Sequence, residues 1–481
     1  MMTVKSAQSF IDGQWGATLE DQGVEVRSPY SNELIGYQYE TNEQGVEEAL
    51  ASAFRYKNEL KKLEAVDRSA ILYKAATLME ERQEAFAQLI SLEVGKALKN
   101  TRDEVGRSVE TLIQSAEEAK RQFGETIPGG ASSRGKGSTA LTFRVPVGVI
   151  AAITPFNAPL NLICHKIGPS FAAGNVTILK PAPQAPFIAK AFVELLLEAG
   201  MPSKAIQMVL GGREIGEIIV ADSRTNLVSF TGSVPAGQQI SKLAGMKKVL
   251  VELGGNAGTI VHEDADIERA ATLATKTAFS NSGQSCISVQ RVYVHESVFQ
   301  KFSEKVKEKT EALHVGDPLE EKTDIGCVVS KETAKRITSW VKEAVADGAD
   351  ILYGGSANGA QVQPTILVNP KKESKVVCQE VFGPVVSLIP YRDVEWAIHE
   401  VNESAFGLQA GVFTQSLTVV RKVVQTLDMG GIVVNGTSNF RLDHWPYGGV
   451  KQSGIGREGP RFAIEEMSET KMVVLQDFLT L

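Results

Sequence analysis

The sequence predicts an α/β protein built around parallel sheets. Beyond Pro146, short apolar runs alternate with helical patterns, in the series VGVIAAI, NVTILK, AIQMVLG, NLVSF and KVLVEL. That alternation is typical of βαβ units, in which a helix connects two parallel strands. The pattern begins again after Gly254 with TIVH, a helix from about Ala265 to Ser280, and RVYVH, and it continues to about Asn435. We therefore expect two α/β lobes.

The segments outside these lobes have patterns of their own. From about Gly45 to Phe123, apolar residues recur at spacings of three and four without a proline, which predicts a run of amphipathic helices. A Gly- and Ser-rich stretch follows, from Pro128 to Ser138. The C-terminal segment MSETKMVVLQDF has the pattern of an edge strand. Because an exposed edge usually pairs with another strand, we expect the subunits to associate.

Length and composition limit the class of protein. A chain of 481 residues predicts at least two lobes with sizeable cores. Without an apolar run of about 18 residues or a basic leader, we expect a cytoplasmic, soluble protein with no membrane partner. The net charge of -7 comes without a basic stripe, so no nucleic-acid partner is expected. Four scattered cysteines predict free thiols, and six scattered histidines offer no ligand set for a metal.

One cysteine stands in a context that suits a nucleophile. In NSGQSCISVQ, Cys286 follows the predicted helix in a Gly- and Ser-rich turn, where its sulfur and its own N–H can face a cleft. A catalytic thiol needs a lowered pKa or a nearby base, together with donors for the developing oxyanion. For this segment alone, a buried inert cysteine is the simpler interpretation.

Two further polar residues follow predicted strands at the edge where open α/β sheets bind ligands. Glu252 ends KVLVE before two glycines, and an apolar setting raises the pKa of a carboxyl toward the range of a general base. The alternative is a surface Glu before a turn. Asn157 stands in TPFNAP, where its amide is a candidate oxyanion donor. Taken alone, Asn between prolines is ordinary turn chemistry.

Seven short motifs along the chain resemble those of the aldehyde dehydrogenase superfamily. They are TPFNAP, ILKPAP, SFTGS, VELGGNAG, NSGQSC, EVFGP and PYGGVKQSGIGREG, in the family's order and with 34 residues from Glu252 to Cys286. The resemblance implies a Rossmann-like parallel-sheet NAD(P)-binding domain (1–122 and 146–254) and a second α/β catalytic domain (255–449). It also implies a small β oligomerisation element (123–145 and 450–481) and a homodimer or homotetramer.

The resemblance also implies roles for the three candidate catalytic residues. Cys286 matches the nucleophile, and Asn157 with the N–H of Cys286 matches the oxyanion hole. Glu252 matches the base that activates water to hydrolyse the thioester. The branch that transfers the acyl group to coenzyme A typically lacks this Glu, so a hydrolytic enzyme is favoured over an acylating one or a non-catalytic relative.

Cofactor residues follow from the same match. Ser233 precedes the helix VPAGQQISKLAG, whose N-terminus suits a pyrophosphate. Lys180 matches the ligand of the adenosine ribose, and Glu380 the ligand of the nicotinamide ribose. The remaining predicted cofactor positions are Thr154, Phe156, Gly212, Gly232 and Phe382. NAD-preferring members commonly have Glu where this chain has Pro183, so we expect use of NAD or NADP, with Lys180 as a counter-ion for a 2′-phosphate.

Polar residues stand where members that oxidise fat-soluble aldehydes have apolar ones. They are His165, Arg441, His444 and Arg107. They favour a short polar or anionic aldehyde of the lactaldehyde, glyceraldehyde or sulfolactaldehyde type. Phosphonoacetaldehyde is disfavoured because Ser285, rather than Arg, precedes Cys286.

Two alternatives remain open for these residues and for the substrate. The four cationic side chains can instead form internal ion pairs, and Asp443 stands only two residues from Arg441. The second alternative is an aromatic aldehyde of the benzaldehyde or vanillin type. It would stack on Phe156, Trp445 and Tyr447.

Overall fold

The computed structural model describes residues 5–16 and 23–477. Its strands, in chain order, are β1 Lys5–Ala7, β2 Phe10–Ile11, β3 Gln14–Trp15, β4 Val24–Arg27, β5 Leu34–Gln38, β6 Thr126–Pro128, β7 Ser138–Pro146, β8 Val149–Ile153, β9 Val176–Lys180, β10 Ile206–Met208, β11 Leu227–Thr231, β12 Lys248–Glu252, β13 Ala257–Val261, β14 Val289–His295, β15 Asp350–Tyr353, β16 Ala357–Asn358, β17 Gln361–Val362, β18 Thr365–Val368, β19 Val385–Tyr391, β20 Phe406–Gly407, β21 Gln409–Phe413, β22 Gly431–Val434, β23 Val450–Lys451, β24 Gly454–Ile455 and β25 Ser468–Gln476.

The α-helices described by the same coordinates are α1 Glu43–Leu60, α2 Ala65–Glu81, α3 Gln83–Val94, α4 Leu98–Glu118, α5 Asn161–Ala173, α6 Pro186–Ala199, α7 Arg213–Ala221, α8 Val234–Ala244, α9 Ile267–Phe279, α10 Glu296–Glu311, α11 Lys331–Ala346, α12 Lys375–Cys378, α13 Val394–Asn402, α14 Leu417–Thr426 and α15 Pro460–Glu466. None of these helices has both the length and the apolar character needed to cross a bilayer.

The first large sheet has the order β24-β12-β11-β8-β9-β10-β2-β3. Its five central strands, β12 to β10 in that order, are parallel, and they are the five apolar runs of the sequence. The prediction of a parallel sheet is confirmed. β8 and β9 are buried along their whole length, which explains why these runs are continuously apolar rather than alternating.

The predicted helical region is confirmed as four helices, α1 to α4. α3 ends at Val94 because Gly95 adopts a left-handed conformation, with φ of 72°. α2 and α4 pack against each other and against α5, so this region covers one face of the first sheet. Leu72, Val105 and Leu112 belong to the same hydrophobic core as strands β8 and β9.

The second large sheet has the order β15-β18-β19-β14-β13-β21-β22 and is parallel except for the pair β15–β18. This is the second predicted α/β lobe. α9 runs from Ile267 to Phe279, within two residues of the helix expected there. The two large sheets follow one another in the chain, with β12 ending at Glu252 and β13 beginning at Ala257. That short connection brings the ends of the two sheets close to the candidate site.

A third sheet joins two distant segments, with the order β25-β7-β6. The predicted C-terminal strand is β25, and its nine residues pair with β7 in antiparallel register. β25 is an edge strand, and most of its side chains are exposed. The small N-terminal sheet β1-β5-β4 was not predicted, because its strands of three to five residues carry little periodic signal. The domain boundaries given above remain a prediction.

Candidate active site

The three predicted catalytic residues meet at one cavity of about 300 Å³. Asn157 follows β8, Glu252 ends β12, and Cys286 precedes β14, so two residues of the first sheet meet one from the second. The rest of the lining is Pro155, Phe156, Leu162, Thr231, Gly232, Ser233, Leu253, Gly254, Arg336, Glu380, Phe382, Arg441, Tyr447 and Glu458. A nucleophile, a carboxylate and an amide donor therefore share one enclosed space.

The turn before Cys286 is held in a conformation that few sequences adopt. Asn281, Ser282 and Gly283 all have positive φ, of 51°, 53° and 69°. A side chain on Gly283 would come within 2.1 Å of the Gly383 carbonyl, in the EVFGP loop, so only glycine fits there. The NSG motif thus fixes the thiol against the loop that carries Glu380.

The Cys286 side chain is half-buried and makes one close polar contact with described residues. Its Sγ lies 3.1 Å from the Tyr447 hydroxyl. Burial raises the pKa of the Cys286 thiol to about 12, while the hydrogen bond to Tyr447 acts to lower it. In this arrangement the sulfur is a protonated thiol at rest, and ionisation requires help from its neighbours.

The Asn157 amide is aimed at the same loop. Its Nδ2 donates to the Gln284 carbonyl at 3.1 Å, two residues before the nucleophile. Asn281 Nδ2 donates to the Asn157 carbonyl at 2.9 Å. These reciprocal contacts lock the TPFNAP turn to the Cys286 turn, so an amide donor stays beside the sulfur.

Glu252 is a buried carboxyl at the end of β12. Its Oε2 is buried and has no hydrogen-bond partner within the residues described. Burial, and next the nearby charge of Glu458, raise the pKa of Glu252 well above its ordinary value. An unsatisfied carboxyl with a raised pKa, facing the cavity, is what a general base for water requires.

A second cavity, of about 470 Å³, opens from the first and shares Ser233 with it. It is lined by Lys180, Gly216, Glu217, Phe230, Gln239 and Arg213, among others. Ser233 is the N-cap residue of α8, as predicted, but its hydroxyl makes no capping bond. The helix N-terminus and this hydroxyl therefore remain available to an anionic group at the junction of the two cavities.

The residues around this groove fit a dinucleotide. Burial lowers the pKa of Lys180 to about 8 and raises the pKa of Glu380 to about 7. Glu380 accepts a hydrogen bond from the Gly255 N–H at 3.0 Å, which directs the carboxylate beside the catalytic cavity. The Thr154 hydroxyl is buried without a partner, although Thr154 lines neither cavity. Gly212, the N-cap residue of α7, also lines neither cavity.

A third cavity, of about 520 Å³, lies on the other side of Asn157, and we call it the funnel. Asn157, Gln284 and Ser285 line its inner end, and one face each of α4 and α9 line its walls. Four of the wall residues are cationic: Lys96, Arg107, Arg269 and Lys276. Lys96 pairs with Glu104 at 2.7 Å, whereas Arg269 and Lys276 form no ion pair with described residues.

The predicted substrate residues are mostly engaged in ion pairs. Arg107 donates to both carboxylate oxygens of Asp443, at 2.7 and 3.0 Å. His165 Nε2 lies 2.8 Å from Asp443 Oδ1. Arg441 pairs with Glu458 at 3.1 Å, and its Nε lies 3.9 Å from Asp443. The internal-ion-pair alternative therefore describes what these side chains do in the protein alone.

Their positions relative to the cavities differ. Arg107 lines the funnel and Arg441 lines the catalytic cavity, while His165 is buried behind them. His444 is exposed and lines none of the three cavities. Trp445 is also half exposed and belongs to a separate depression. The three aromatic residues suggested by the sequence are thus not assembled into one wall.

The buried network holds an excess of positive charge. Burial alone would raise the pKa of Asp443, but the contacts from His165 and Arg107 outweigh it and lower that pKa. Burial likewise acts against ionised Glu458, but Lys166 and Arg441 bring its pKa down to about 2. Burial and the Arg441 charge lower the pKa of His165, which favours the neutral ring. Three cations, Arg107, Arg441 and Lys166, therefore face two carboxylates.

Several residues at these cavities escaped the sequence reasoning. Glu458 lies inside the motif PYGGVKQSGIGREG, and Arg213 follows the predicted cofactor residue Gly212, but neither was predicted as a site residue. Arg269 and Lys276 are seven residues apart, two helical turns, so both lie on the α9 face that lines the funnel. That helical spacing was visible in the sequence. The proximity of Arg269 and Lys276 to Asn157 was not visible in the sequence, because α9 belongs to the second lobe whereas Asn157 and α4 belong to the first.

A thiol, a buried carboxyl and an amide donor line one cavity beside a groove with a helix N-terminus, and this arrangement suits an oxidoreductase that acts on a carbonyl substrate. The aldehyde dehydrogenase family model matches residues 15–473, and the chain belongs to that family. Its members oxidise aldehydes with a nicotinamide dinucleotide, so the protein is an NAD(P)-dependent enzyme that acts on aldehydes.

Three proteins to which the chain is similar have names that mention an aldehyde substrate, a reaction product or a cofactor. The chain is 46% identical over 474 residues to a 3-sulfolactaldehyde dehydrogenase of Priestia aryabhattai, covering 98% of each chain. It superposes with a TM-score of 0.97 on aldehyde dehydrogenase 21 of Physcomitrella patens in complex with the reaction product succinate, at 35% identity and 100% coverage of both. A glyceraldehyde-3-phosphate dehydrogenase of Methanocaldococcus jannaschii complexed with NADP gives 0.91, at 36% identity over 95% of this chain and 100% of that one.

Proposed function

We propose that this protein oxidises a short anionic aldehyde to a carboxylate and releases the product by hydrolysis. The observation that carries the proposal is the convergence of Cys286, Glu252 and Asn157 on one 300 Å³ cavity. That cavity lies between a dinucleotide groove on one side and a cation-lined funnel on the other. The aldehyde enters through the funnel, and the cofactor occupies the groove.

The reaction follows from the position of each group. Cys286 attacks the aldehyde carbon, and the Asn157 amide with the Cys286 N–H stabilises the oxyanion of the thiohemiacetal. A nicotinamide dinucleotide held by Lys180, Ser233 and Glu380 would supply the hydride acceptor, and loss of hydride from that carbon would leave a thioester on Cys286. Glu252 takes a proton from water, the hydroxide adds to the thioester carbonyl, and the thiolate of Cys286 departs with the carboxylic acid released.

The Glu252 carboxyl supports hydrolysis rather than acyl transfer to coenzyme A. Its raised pKa gives it the basicity to activate water within an apolar cavity. An acylating enzyme needs no such base, because the thiol of coenzyme A attacks the thioester instead. The intact Cys286 and Asn157 likewise argue against a non-catalytic relative.

The charge balance supports an anionic substrate. The funnel lining has four cations, Lys96, Arg107, Arg269 and Lys276, against two carboxylates, Asp103 and Glu104. The names of the three similar proteins refer to a sulfonate, a dicarboxylate product and a phosphate ester, all anionic. We therefore favour an aldehyde of the sulfolactaldehyde type, with lactaldehyde and glyceraldehyde as neutral relatives. Benzaldehyde or vanillin has less support, because Trp445 lies outside the catalytic cavity, which Phe156 and Tyr447 both line.

The groove supports acceptance of NADP as well as NAD. Pro183 leaves no carboxylate at the position where a Glu would repel a 2′-phosphate, and Arg213 adds a second cation beside Lys180. Arg213 is held by Glu217 at 2.7 Å on the same helix, so its guanidinium is already directed along the cavity wall. We also propose that the protein is a cytoplasmic homodimer or homotetramer, assembled through the β25-β7-β6 sheet.

A substrate panel tests the proposal. NADH or NADPH formation is followed with sulfolactaldehyde, succinate semialdehyde, lactaldehyde, glyceraldehyde, benzaldehyde and hexanal, each with either cofactor and without coenzyme A. The anionic aldehydes are expected to have the highest kcat/KM. A preference for benzaldehyde or hexanal would refute the substrate class, and a requirement for coenzyme A would refute hydrolysis.

A further inference from the structure

Tyr447, for which the sequence suggested only an aromatic surface, contacts the reactive sulfur through its hydroxyl. Its hydroxyl lies 3.1 Å from Cys286 Sγ, and its ring packs with Ile287 and Leu408 against the cysteine. Within the residues described, this is the one side-chain hydrogen bond to that sulfur. From this geometry we infer that Tyr447 is a further catalytic residue. Its hydroxyl donates a hydrogen bond to the Cys286 sulfur and stabilises the thiolate.

The bond can stabilise only one ionisation state of the sulfur strongly. A neutral thiol is a weak acceptor, so its contact with a phenol contributes little. A thiolate has no proton to donate, so Tyr447 must be the donor, and the bond becomes charge-assisted. Burial, and next the neighbouring Cys286, raise the pKa of the Tyr447 phenol well above its usual range. The phenol therefore keeps its proton and remains a donor while the thiol loses its own proton to solvent.

The ring of Tyr447 is fixed from two directions. Tyr447 and Glu458 exchange backbone hydrogen bonds, at 3.1 Å and 2.6 Å. The Glu458 carboxylate binds Arg441 at 3.1 Å, and the Arg441 guanidinium lies 3.8 Å from the centre of the Tyr447 ring. Backbone pairing, an ion pair and a cation–π contact therefore form a closed ring of interactions. The hydroxyl is held at the sulfur without depending on the substrate.

The other charged groups around the sulfur do not replace this contact. Glu380 and Glu252 both act to raise the pKa of the Cys286 thiol, because their negative charge opposes a thiolate. Arg441 acts to lower it, but its guanidinium stacks on the Tyr447 ring. Loss of the hydroxyl would therefore leave two carboxyl groups that disfavour the thiolate and remove the side-chain hydrogen bond that stabilises it.

The test measures how fast iodoacetamide alkylates Cys286 across pH, by mass spectrometry of the modified peptide in the cofactor-free enzyme. Tyr447→Phe keeps the ring, its packing and its contact with Arg441 but removes the hydroxyl. Below the apparent pKa of the thiol, we expect alkylation to slow by about 10-fold to 100-fold, with the profile shifted to higher pH. Tyr391→Phe is the matched control, since this buried tyrosine donates to the Val261 carbonyl in the second lobe. It should leave the profile unchanged.

A second variant keeps the test informative if Tyr447→Phe folds poorly. Replacing Tyr447 with 3-fluorotyrosine makes the phenol a stronger donor with nearly the same shape, so the alkylation profile should move to lower pH. An unchanged profile in Tyr447→Phe, or no downward shift with fluorotyrosine, would overturn the inference. The inference rests on the proposed role of Cys286. Alkylation reports on the thiol whether or not aldehyde is oxidised, so the role of Cys286 fails separately, if Cys286→Ser still turns over.

Discussion

Arg107 is the cation of the Asp443 and Glu458 network that also lines the funnel. Asp443, its partner, would keep its contact with His165 at 2.8 Å and the hydrogen bond from Asn161 Nδ2 at 3.2 Å. The Arg107 side chain is still 35% exposed to the funnel, although it is paired. A substrate anion can therefore reach it without breaking the pair.

We predict that Arg107→Gln changes selectivity rather than overall competence. A charge-assisted hydrogen bond to the substrate contributes about 1.5–3 kcal/mol, so kcat/KM for sulfolactaldehyde should fall by about 10-fold to 150-fold. The value for neutral lactaldehyde should change by no more than about threefold. Arg102→Gln is the control, because Arg102 lies on the same helix but pairs with Glu84 and Glu321. Equal losses of kcat/KM for both aldehydes would show that Arg107 does not recognise the charge of the substrate.

Arg213 carries the corresponding prediction for the cofactor. In Arg213→Gln, the Kd for NADP should rise by about 10-fold or more, while that for NAD stays within about threefold, because only NADP has the 2′-phosphate. Both are measured by fluorescence titration without aldehyde. The control is Arg461→Gln, which breaks a similar i,i+4 pair with Glu465 away from the groove. A parallel loss of both cofactors would contradict the assignment.

At this scale, the sequence was most informative where motifs carry the chemistry. Cys286, Glu252 and Asn157 were named from short strings and converge on one cavity. His444 was predicted as a substrate residue because it stands where members that oxidise fat-soluble aldehydes have an apolar residue, but its side chain is exposed and lines none of the three cavities. The partners Glu458 and Arg213 depend on contacts between segments far apart in the chain, and residue type alone does not reveal such contacts.

Among the secondary-structure elements, α6 begins in an unusual way. Its N-cap residue, Ala185, has no side-chain acceptor. Instead, Glu93 at the end of α3 accepts the Phe187 and Ile188 N–H groups, at 2.7 and 2.9 Å. A carboxyl from another helix thus performs the capping role that Ser or Asp usually has.

We predict that Glu93→Ala lowers the free energy of unfolding by about 1–3 kcal/mol, because it leaves two buried donors without partners. Chemical denaturation followed by circular dichroism measures the change. Glu80→Ala, on the exposed side of α2, should have an effect of less than about 0.5 kcal/mol. If the two variants were equally stable, the capping role would be wrong.

The same carboxyl gives a pH dependence with a definite sign. Burial raises the pKa of Glu93 to about 8 in the folded protein, against about 4.3 for an unfolded chain. The folded state then binds more protons, so this stabilisation is present below about pH 4 and is lost as pH rises through about 8. The wild type should therefore lose stability relative to Glu93→Gln over that range. If the wild type instead gained stability relative to Glu93→Gln as the pH rises, the direction assigned to the pKa shift of Glu93 would be wrong.

The sequence predicted the secondary-structure elements that are long or fully buried, and it missed the short ones. The long helices and the apolar parallel strands were predicted because their periodicity extends over many residues. The strands β1 to β5, β16, β17, β20, β23 and β24 were not, since they have two to five residues and owe their conformation to neighbours. Tertiary pairing, rather than local propensity, forms such strands.

On the scale of the whole molecule, the β25-β7-β6 sheet carries apolar side chains that residues 5–16 and 23–477 leave exposed. Met472, Val474 and Ile127 are 60%, 48% and 44% exposed. The strand register assigns them to one face, because Met472 pairs with Thr142 while Val474 and Ile127 both pair with Ala140. A contiguous apolar face of this kind favours contact with another subunit.

We predict that Met472→Glu reduces the mass in solution toward the 51.9 kDa of one chain, because it buries a charge at the proposed contact. Light scattering after gel filtration measures the mass. Met246→Glu is the control, since Met246 is fully exposed on the turn after α8. An unchanged mass in Met472→Glu would argue against this sheet as the contact.

The proposed reaction consists of two half-reactions that share one cavity, with Cys286 responsible for oxidation and Glu252 for hydrolysis. The most direct test is rapid-mixing kinetics of Glu252→Gln with sulfolactaldehyde and either cofactor. We predict a burst of about one reduced cofactor per active site followed by almost no steady state, since the thioester forms but is not hydrolysed. Normal steady-state turnover by Glu252→Gln would show that Glu252 is not the base that activates water for hydrolysis.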